Sequence, residues 1–100
     1  MKTAAQVVEE RRRADPEFRK EWDREAFARA VAAQVVKYRG DHKLSQRQLA
    51  KLTGITQPAI ARLESGEGVP ELKTLAKLST ATGLEFRLSV AHGDVALCVA

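Results

Sequence analysis

Cysteine, proline and aromatic residues are all scarce in this chain of 100 residues, which holds one Cys, three Pro, three Phe, one Tyr and one Trp. A lone Cys98 excludes an internal disulfide, and His42 and His92 lie too far apart in sequence to suggest metal-ligand spacing, so no metal site is expected. No apolar run approaches the roughly 20 residues that span a bilayer, and the N-terminus lacks a signal peptide's apolar region. A cytoplasmic protein without membrane contact is therefore expected. Catalytic signatures are missing too. No nucleophile stands beside a histidine and no carboxylates are paired at a useful spacing. Gly66 and Gly68 lack the Lys-Ser/Thr that would make a phosphate loop. The expectation is a non-enzyme with no catalytic residues and no cofactor. Acids are nearly absent from one stretch: between Lys37 and Arg62, only Asp41 stands against Lys37, Arg39, Lys43, Arg47, Lys51 and Arg62.

What is present suits one small domain with short extensions, since 44% of the residues are hydrophobic and the chain is too short for two cores. The formal charge of +4 and a pI near 9.6 fit an anionic partner but do not by themselves select nucleic acid. Phe27, Val31, Val35 and Tyr38 recur at helical spacing, with Ala28 and Ala32 allowing close approach, and define a helix from Ala26 to Tyr38. From Leu44 to Leu75 the pattern becomes more specific. Ser45 is a natural N-cap, Leu49, Ala50 and Leu52 supply an apolar face, and Gly54 ends that helix. Thr56 caps the next, with Pro58 in its first turn and Ile60 and Leu63 facing back. Two short helices joined through a glycine make a helix-turn-helix. A further helix carries Leu72, Leu75, Ala76 and Leu78 and ends at Gly83.

Over Tyr38 to Leu84 the chain resembles the lambda-repressor-like, or XRE-type, helix-turn-helix family. The resemblance runs through Arg39, Leu44-Ser45-Gln46, Leu49-Ala50, Gly54-Ile55-Thr56, Ile60, Leu63-Glu64, Gly66, Pro70 and Thr74-Leu75. It implies a mainly α fold, a lambda-repressor-like bundle of four to five helices. It also implies that the second helix of the pair enters the major groove of double-stranded operator DNA, with Thr56, Gln57, Pro58 and Arg62 at base edges and Gln46 on a phosphate. The side chains suit those tasks. Gln57 can donate and accept in one plane, as adenine N6 and N7 require, and Arg62 can fork onto guanine O6 and N7. The basic stretch can neutralise phosphates. After Arg62 the sign turns acidic at Glu64, Glu67 and Glu71, which confines the expected phosphate grip to Arg39, Lys43, Gln46 and Arg47.

Two extensions flank the motif, so three regions are expected: a helical arm over 1–25, the DNA-binding bundle over 26–83 and a C-terminal β-hairpin over 84–100. In the arm, Asp15-Pro16 ends one helix and starts another, in which Phe18 and Trp22 share a face. Two readings stand for that pair: packing on the chain's own bundle, against the helix from Ala26, and anchoring a partner protein, for which aromatics flanked by arginines are suited. In the last segment the period becomes alternating. A turn at His92-Gly93 pairs Ala91 with Asp94, Val90 with Val95, Leu88 with Leu97 and Phe86 with Val99, leaving Glu85, Arg87, Ser89, Ala96 and Cys98 on the other face. A lone hairpin is marginal in water, so its apolar face must cover the helices or its edge must pair with another chain. Homodimerisation through Phe86, Leu88, Val90, Val95 and Leu97 is expected, since a two-fold dimer presents two recognition helices about one DNA turn apart.

The arm's Asp15-Pro16-Glu17-Phe18-Arg19, the Glu64-x-Gly66-x-Gly68-x-Pro70 spacing and the short chain are similar to HigA-type antitoxins of type II toxin–antitoxin modules. That resemblance implies autorepression of an operon and neutralisation of a RelE-like ribonuclease encoded by the adjacent gene. Its location would be cytoplasmic and, when DNA-bound, nucleoid-associated. Glu17, Phe18, Glu21 and Trp22, with Glu9 and Glu10, would be the surface that meets a basic toxin. The alternative is a stand-alone XRE-type repressor, whose arm serves only the core or the dimer.

Overall fold

Most helix boundaries fall where a side chain or a left-handed residue satisfies a backbone group that would otherwise be orphaned. The computed structural model of the chain describes residues 1–98, with six helices and two strands among them. These are α1 Ala4–Ala14, α2 Pro16–Arg24, α3 Ala26–Asp41, α4 Gln46–Thr53, α5 Gln57–Ser65, α6 Leu72–Thr82, β1 Arg87–Ala91 and β2 Asp94–Cys98. Asp15 serves two helices: its backbone N–H closes α1 on Arg11 O, and its side chain accepts from Glu17 and Phe18 N–H at the start of α2, with Pro16 at the first helical position. The expected ends at Asp15-Pro16, Ser45, Gly54, Thr56 and Gly83 are all where the residue chemistry places them.

Helix α3 outruns its expected end at Tyr38, continuing to Asp41. The Lys37–Asp41 pair, at 2.7 Å and one turn apart, supports the extra turn, and Lys43 at φ 54 then reverses the chain so that Leu44 N–H reaches Arg39 O at 2.9 Å.

The core lies between α3, α4, α5 and α6, the lower of the two expected helix counts, with α1 and α2 outside it. Phe27, Val31, Val35, Leu49, Ile55, Ile60, Leu75 and Leu78 form one buried cluster, on which Tyr38, Leu44 and Leu63 pack. Two leucines expected inward face water. Leu52 is 51% and Leu72 70% exposed, because α4 and α6 each turn only a narrow stripe inward: Leu49 and Thr53 on one, Leu75 and Leu78 on the other. Thr53 is the buried polar residue of the core, and its hydroxyl donates to Leu49 O at 2.9 Å and accepts from Ile55 N–H at 3.2 Å. That bond also ties the end of α4 to the turn that leads into α5.

The hairpin has the expected register: Leu88 opposite Leu97, Val90 opposite Val95 and Ala91 opposite Asp94. His92 at φ 54 and Gly93 at φ 80 both take the positive values that a type I′ turn needs. The expected Phe86–Val99 pair lies outside the described residues. The hairpin's apolar face is divided in two. Phe86, Leu88 and Leu97 pack on the core, with β2 along α3, whereas Val90 at the turn end is 73% exposed and Val95 37%. The half-buried end anchors the hairpin to the bundle, so the hairpin does not stand as an isolated ribbon.

Candidate nucleic-acid interface

Ser45 and Gln48 form a capping box at the start of α4, with Gln48 N–H donating to Ser45 Oγ at 3.1 Å and Ser45 N–H to Gln48 Oε1 at 2.7 Å. This fixes Gln46 in the first turn. Gly54, at φ 76, ends α4 in the left-handed conformation that favours glycine, and Thr56 caps α5 by accepting from Ala59 N–H at 3.3 Å. The first turn of α5 thereby stands beside the first turn of α4. Thr56, Pro58 and Arg62 are exposed, and Gln57 is half-buried.

A chain of hydrogen bonds links these two turns to α3. Arg39 donates from Nε and Nη2 to the two carboxylate oxygens of Glu64, each at 2.8 Å, and from Nη1 to Leu44 O at 3.2 Å. Gln46 Nε2 donates to Glu64 Oε1 at 3.2 Å, and Gln57 Nε2 donates to Gln46 Oε1 at 3.0 Å. The polarity is imposed from one end. A carboxylate only accepts, so Gln46 turns its amide nitrogen to Glu64 and its oxygen to Gln57. Gln57 is left with its Oε1 and one Nε2 hydrogen directed elsewhere, the donor–acceptor pair that an adenine edge would require.

The Arg39 guanidinium holds the Glu64 carboxyl below the usual glutamate range; burial opposes the shift and the Gln46 amide adds to it. Glu64 raises Arg39 in return. With the Glu64 side chain only 8% exposed, this is a partly buried ion pair in which both carboxylate oxygens are hydrogen-bonded.

The expected phosphate residues thus separate into two groups. Arg39, expected on a phosphate, is engaged by Glu64 and Leu44, because the fold brings alongside it a carboxylate 25 residues away. Lys43 and Arg47 are exposed at the entry to α4, and among the described residues neither has a salt-bridge partner. Lys37, by contrast, is bound to Asp41, which raises it and lowers the aspartate. Arg62 is exposed near the C-terminal end of α5, again without a salt bridge among the described residues.

Sequence reasoning named Glu64 as part of the motif and as the first acid after the basic stretch, and missed its role as the hub of this network. The available signal was an acid directly after the basic stretch; its partner could not be found from local spacing.

The arm presents a different chemistry. Phe18 and Trp22 stack with ring centroids 5.6 Å apart, Arg11 lies over Phe18 at 4.5 Å, and Arg29 of α3 lies over Trp22 at 3.6 Å. Both rings are half-buried between arginines. Arg12 binds Asp23 bidentately at 3.0 and 2.9 Å and Glu9 at 3.0 Å, and Lys2 binds Glu10 at 2.8 Å. Glu9 and Glu10 are thus engaged within the arm, while Glu17 and Glu21 lie exposed on α2. No helix among the described residues is long and apolar enough to cross a membrane.

Residues 35–88, running from the middle of α3 into β1, match the family described as Helix-turn-helix (HTH_3), and the chain belongs to that family. Over 67 residues it is 40% identical to an uncharacterized HTH-type transcriptional regulator of Haemophilus influenzae, a match covering 66% of this chain and 68% of the relative. The crystal structure of an HTH_3 family transcriptional regulator from Vibrio cholerae superposes with a TM-score of 0.57 at 28% identity. That match covers 61% of this chain and 34% of the other, so the chain spans about a third of that solved structure.

Proposed function

We propose that this protein is a transcriptional repressor that binds operator DNA as a homodimer with α5 in the major groove, and that it is the antitoxin of a type II toxin–antitoxin module. Thr56, Gln57, Pro58 and Arg62 meet base edges, Gln57 on adenine and Arg62 on guanine. Lys43, Gln46 and Arg47 take phosphates, and Arg39 acts one step behind by ordering Gln46 through Glu64. The observation that carries this reading is the chain Arg39–Glu64–Gln46–Gln57, which holds a two-way hydrogen-bonding amide in place beside exposed cations. The names of the relatives, both transcriptional regulators, agree with it.

The dimer reading rests on Val90 and Val95, which remain exposed on a hairpin whose other apolar residues, Phe86, Leu88 and Leu97, are braced on the core. The antitoxin reading rests on the arm: its Asp15-to-Arg19 motif, its arginine-flanked aromatic pair and the exposed Glu17 and Glu21 suit a basic, RelE-like ribonuclease. A stand-alone transcriptional repressor is favoured by one observation, the engagement of Trp22 by Arg29, which gives the arm an internal task.

Titration of the full chain against duplex from its own promoter is expected to give a salt-sensitive, sequence-dependent shift, and co-expression with the product of the adjacent gene a complex that survives pull-down. A shift without a complex leaves the stand-alone repressor. No shift at any salt concentration overturns both readings.

A further inference from the structure

Arg29 touches two parts of the molecule that are far apart in sequence. At one end its guanidinium lies 3.6 Å from the Trp22 ring centroid and donates through Nη2 to the Trp22 carbonyl at 2.6 Å. Glu25 Oε2 is 3.9 Å from Nη1, beyond hydrogen-bond reach, and among the described residues the buried Nη1 has no hydrogen-bond partner. Trp22 is therefore the main holder of this cation, through both its ring and its backbone.

At the other end the stem of Arg29 runs beside the end of α5. Gly66, at φ 74, is the left-handed residue that closes α5, its N–H bonded to Leu63 O at 3.2 Å. A methyl group placed on Gly66 would stand 3.6 Å from Arg29 Cγ and 3.8 Å from Arg29 Cα, so the C-terminal cap of α5 lies alongside the Arg29 stem, about a methyl group's width away. Arg62 lies one turn before that cap.

We infer that Arg29 is a positioning residue for operator recognition: seated on Trp22 of the arm, it sets where the C-terminal cap of α5 lies, and with it Arg62. The inference rests on the reading of α5 as the recognition helix. A helix moves as a rigid element, and a bidentate guanidinium contact tolerates little displacement, so loss of the Trp22 seat degrades base readout. Lys43 and Arg47 are held by the end of α3 and by the Ser45–Gln48 capping box rather than by that cap, and keep their grip on any duplex. A partner that draws Trp22 off Arg29 would loosen the same seat, which makes the arm a control on operator affinity.

The test uses the full chain with Arg29→Met, which keeps the stem and removes the cation, and Trp22→Ala, which lies outside the bundle core and preserves the measurement if Arg29→Met does not fold. Anisotropy titrations compare a promoter duplex with a scrambled one at equal salt. Each variant is expected to lose about fivefold in operator affinity, within what a cation–π contact can transmit, with scrambled binding unchanged. The double variant loses no more than either single one, and Arg29→Lys recovers most of the loss. Operator binding by Trp22→Ala equal to that of the unaltered chain overturns the inference, as does an equal loss on both duplexes. An unaltered chain that binds both duplexes alike would instead overturn the recognition-helix reading itself.

Discussion

Helices α3 to α6 hold Val31, Val35, Leu49, Ile60 and Leu78 almost wholly out of water, whereas α1 has no buried residue and meets α2 through Arg12, Asp23 and an arginine-capped aromatic pair. One part is organised by apolar burial, which ionic screening does not weaken and which needs no partner; the other is organised by charges and rings at the surface, where water and ions compete. The difference suits the two parts to the separate tasks of the proposed function. A rigid bundle can hold hydrogen-bonding groups to the tolerance that base reading demands, while a polar arm can exchange internal contacts for a partner's.

The largest way to break the bundle is Leu49→Ala. Leu49 is fully buried at the junction of the two motif helices, so its truncation is expected to cost about 3 kcal/mol, read as a lower midpoint in urea unfolding. An unchanged midpoint would mean that the core does not centre on α4.

Next comes the polar hub. Replacing Glu64 with alanine strands Arg39 and releases Gln46, at an expected cost of about 2 kcal/mol. The same pair predicts an acid response. The folded-state pKa of Glu64 lies below its unfolded value of about 4.3, so its stabilisation is complete above that value and is lost as pH falls through the depressed one. A Glu64→Gln variant is expected to show a shallower acid limb in pH-dependent melts. Parallel acid limbs in the two proteins would show that the pair is not formed in solution.

Arg62→Ala is expected to weaken operator binding about tenfold while leaving stability unchanged, because Arg62 is exposed. Lys43→Ala or Arg47→Ala should instead weaken every duplex alike and flatten the log–log salt dependence by about one unit per lost phosphate contact. Titrations at several salt concentrations separate these outcomes.

Smaller still is the effect of salt on the arm. Raising it should speed hydrogen exchange in α1, held by Arg12 and Glu9, without altering exchange in α3 or α5. Smallest in folding stability is the Val90→Ser, Val95→Ser double change, expected to lower the melting temperature of the monomer by no more than about 5 °C, since exposed substitutions cost about 0.5 kcal/mol or less each. Sedimentation should nonetheless show a weaker dimer; an intact one would move the dimer interface to the helices.

Much of this architecture was legible because its causes are local. Ser45 with Gln48, Thr56 with Ala59 and Asp15 with Phe18 are cap contacts made within a turn of chain, and the His92-Gly93 turn determines the hairpin register beside it. The inward stripe of α3 follows from helical period alone. Sequence reasoning failed where apolar identity and burial part company. Leu52 and Leu72 have the composition of core residues but lie off the narrow inward stripe of short helices, and only neighbouring elements decide which stripe that is.

The sequence by itself determined the caps, the helix-turn-helix register, the hairpin pairing and the sign of the surface, since each depends on residues within a few positions of one another. Only the tertiary structure decided that Arg39 turns inward to Glu64, that Gln46 steadies Gln57, that Arg29 lies between Trp22 of the arm and the end of α5 and that Val90 stays exposed while Leu88 is half-buried. The physical reason is that a charge or a ring takes whatever partner the packed helices bring within a few ångströms, and separation along the chain says little about that distance.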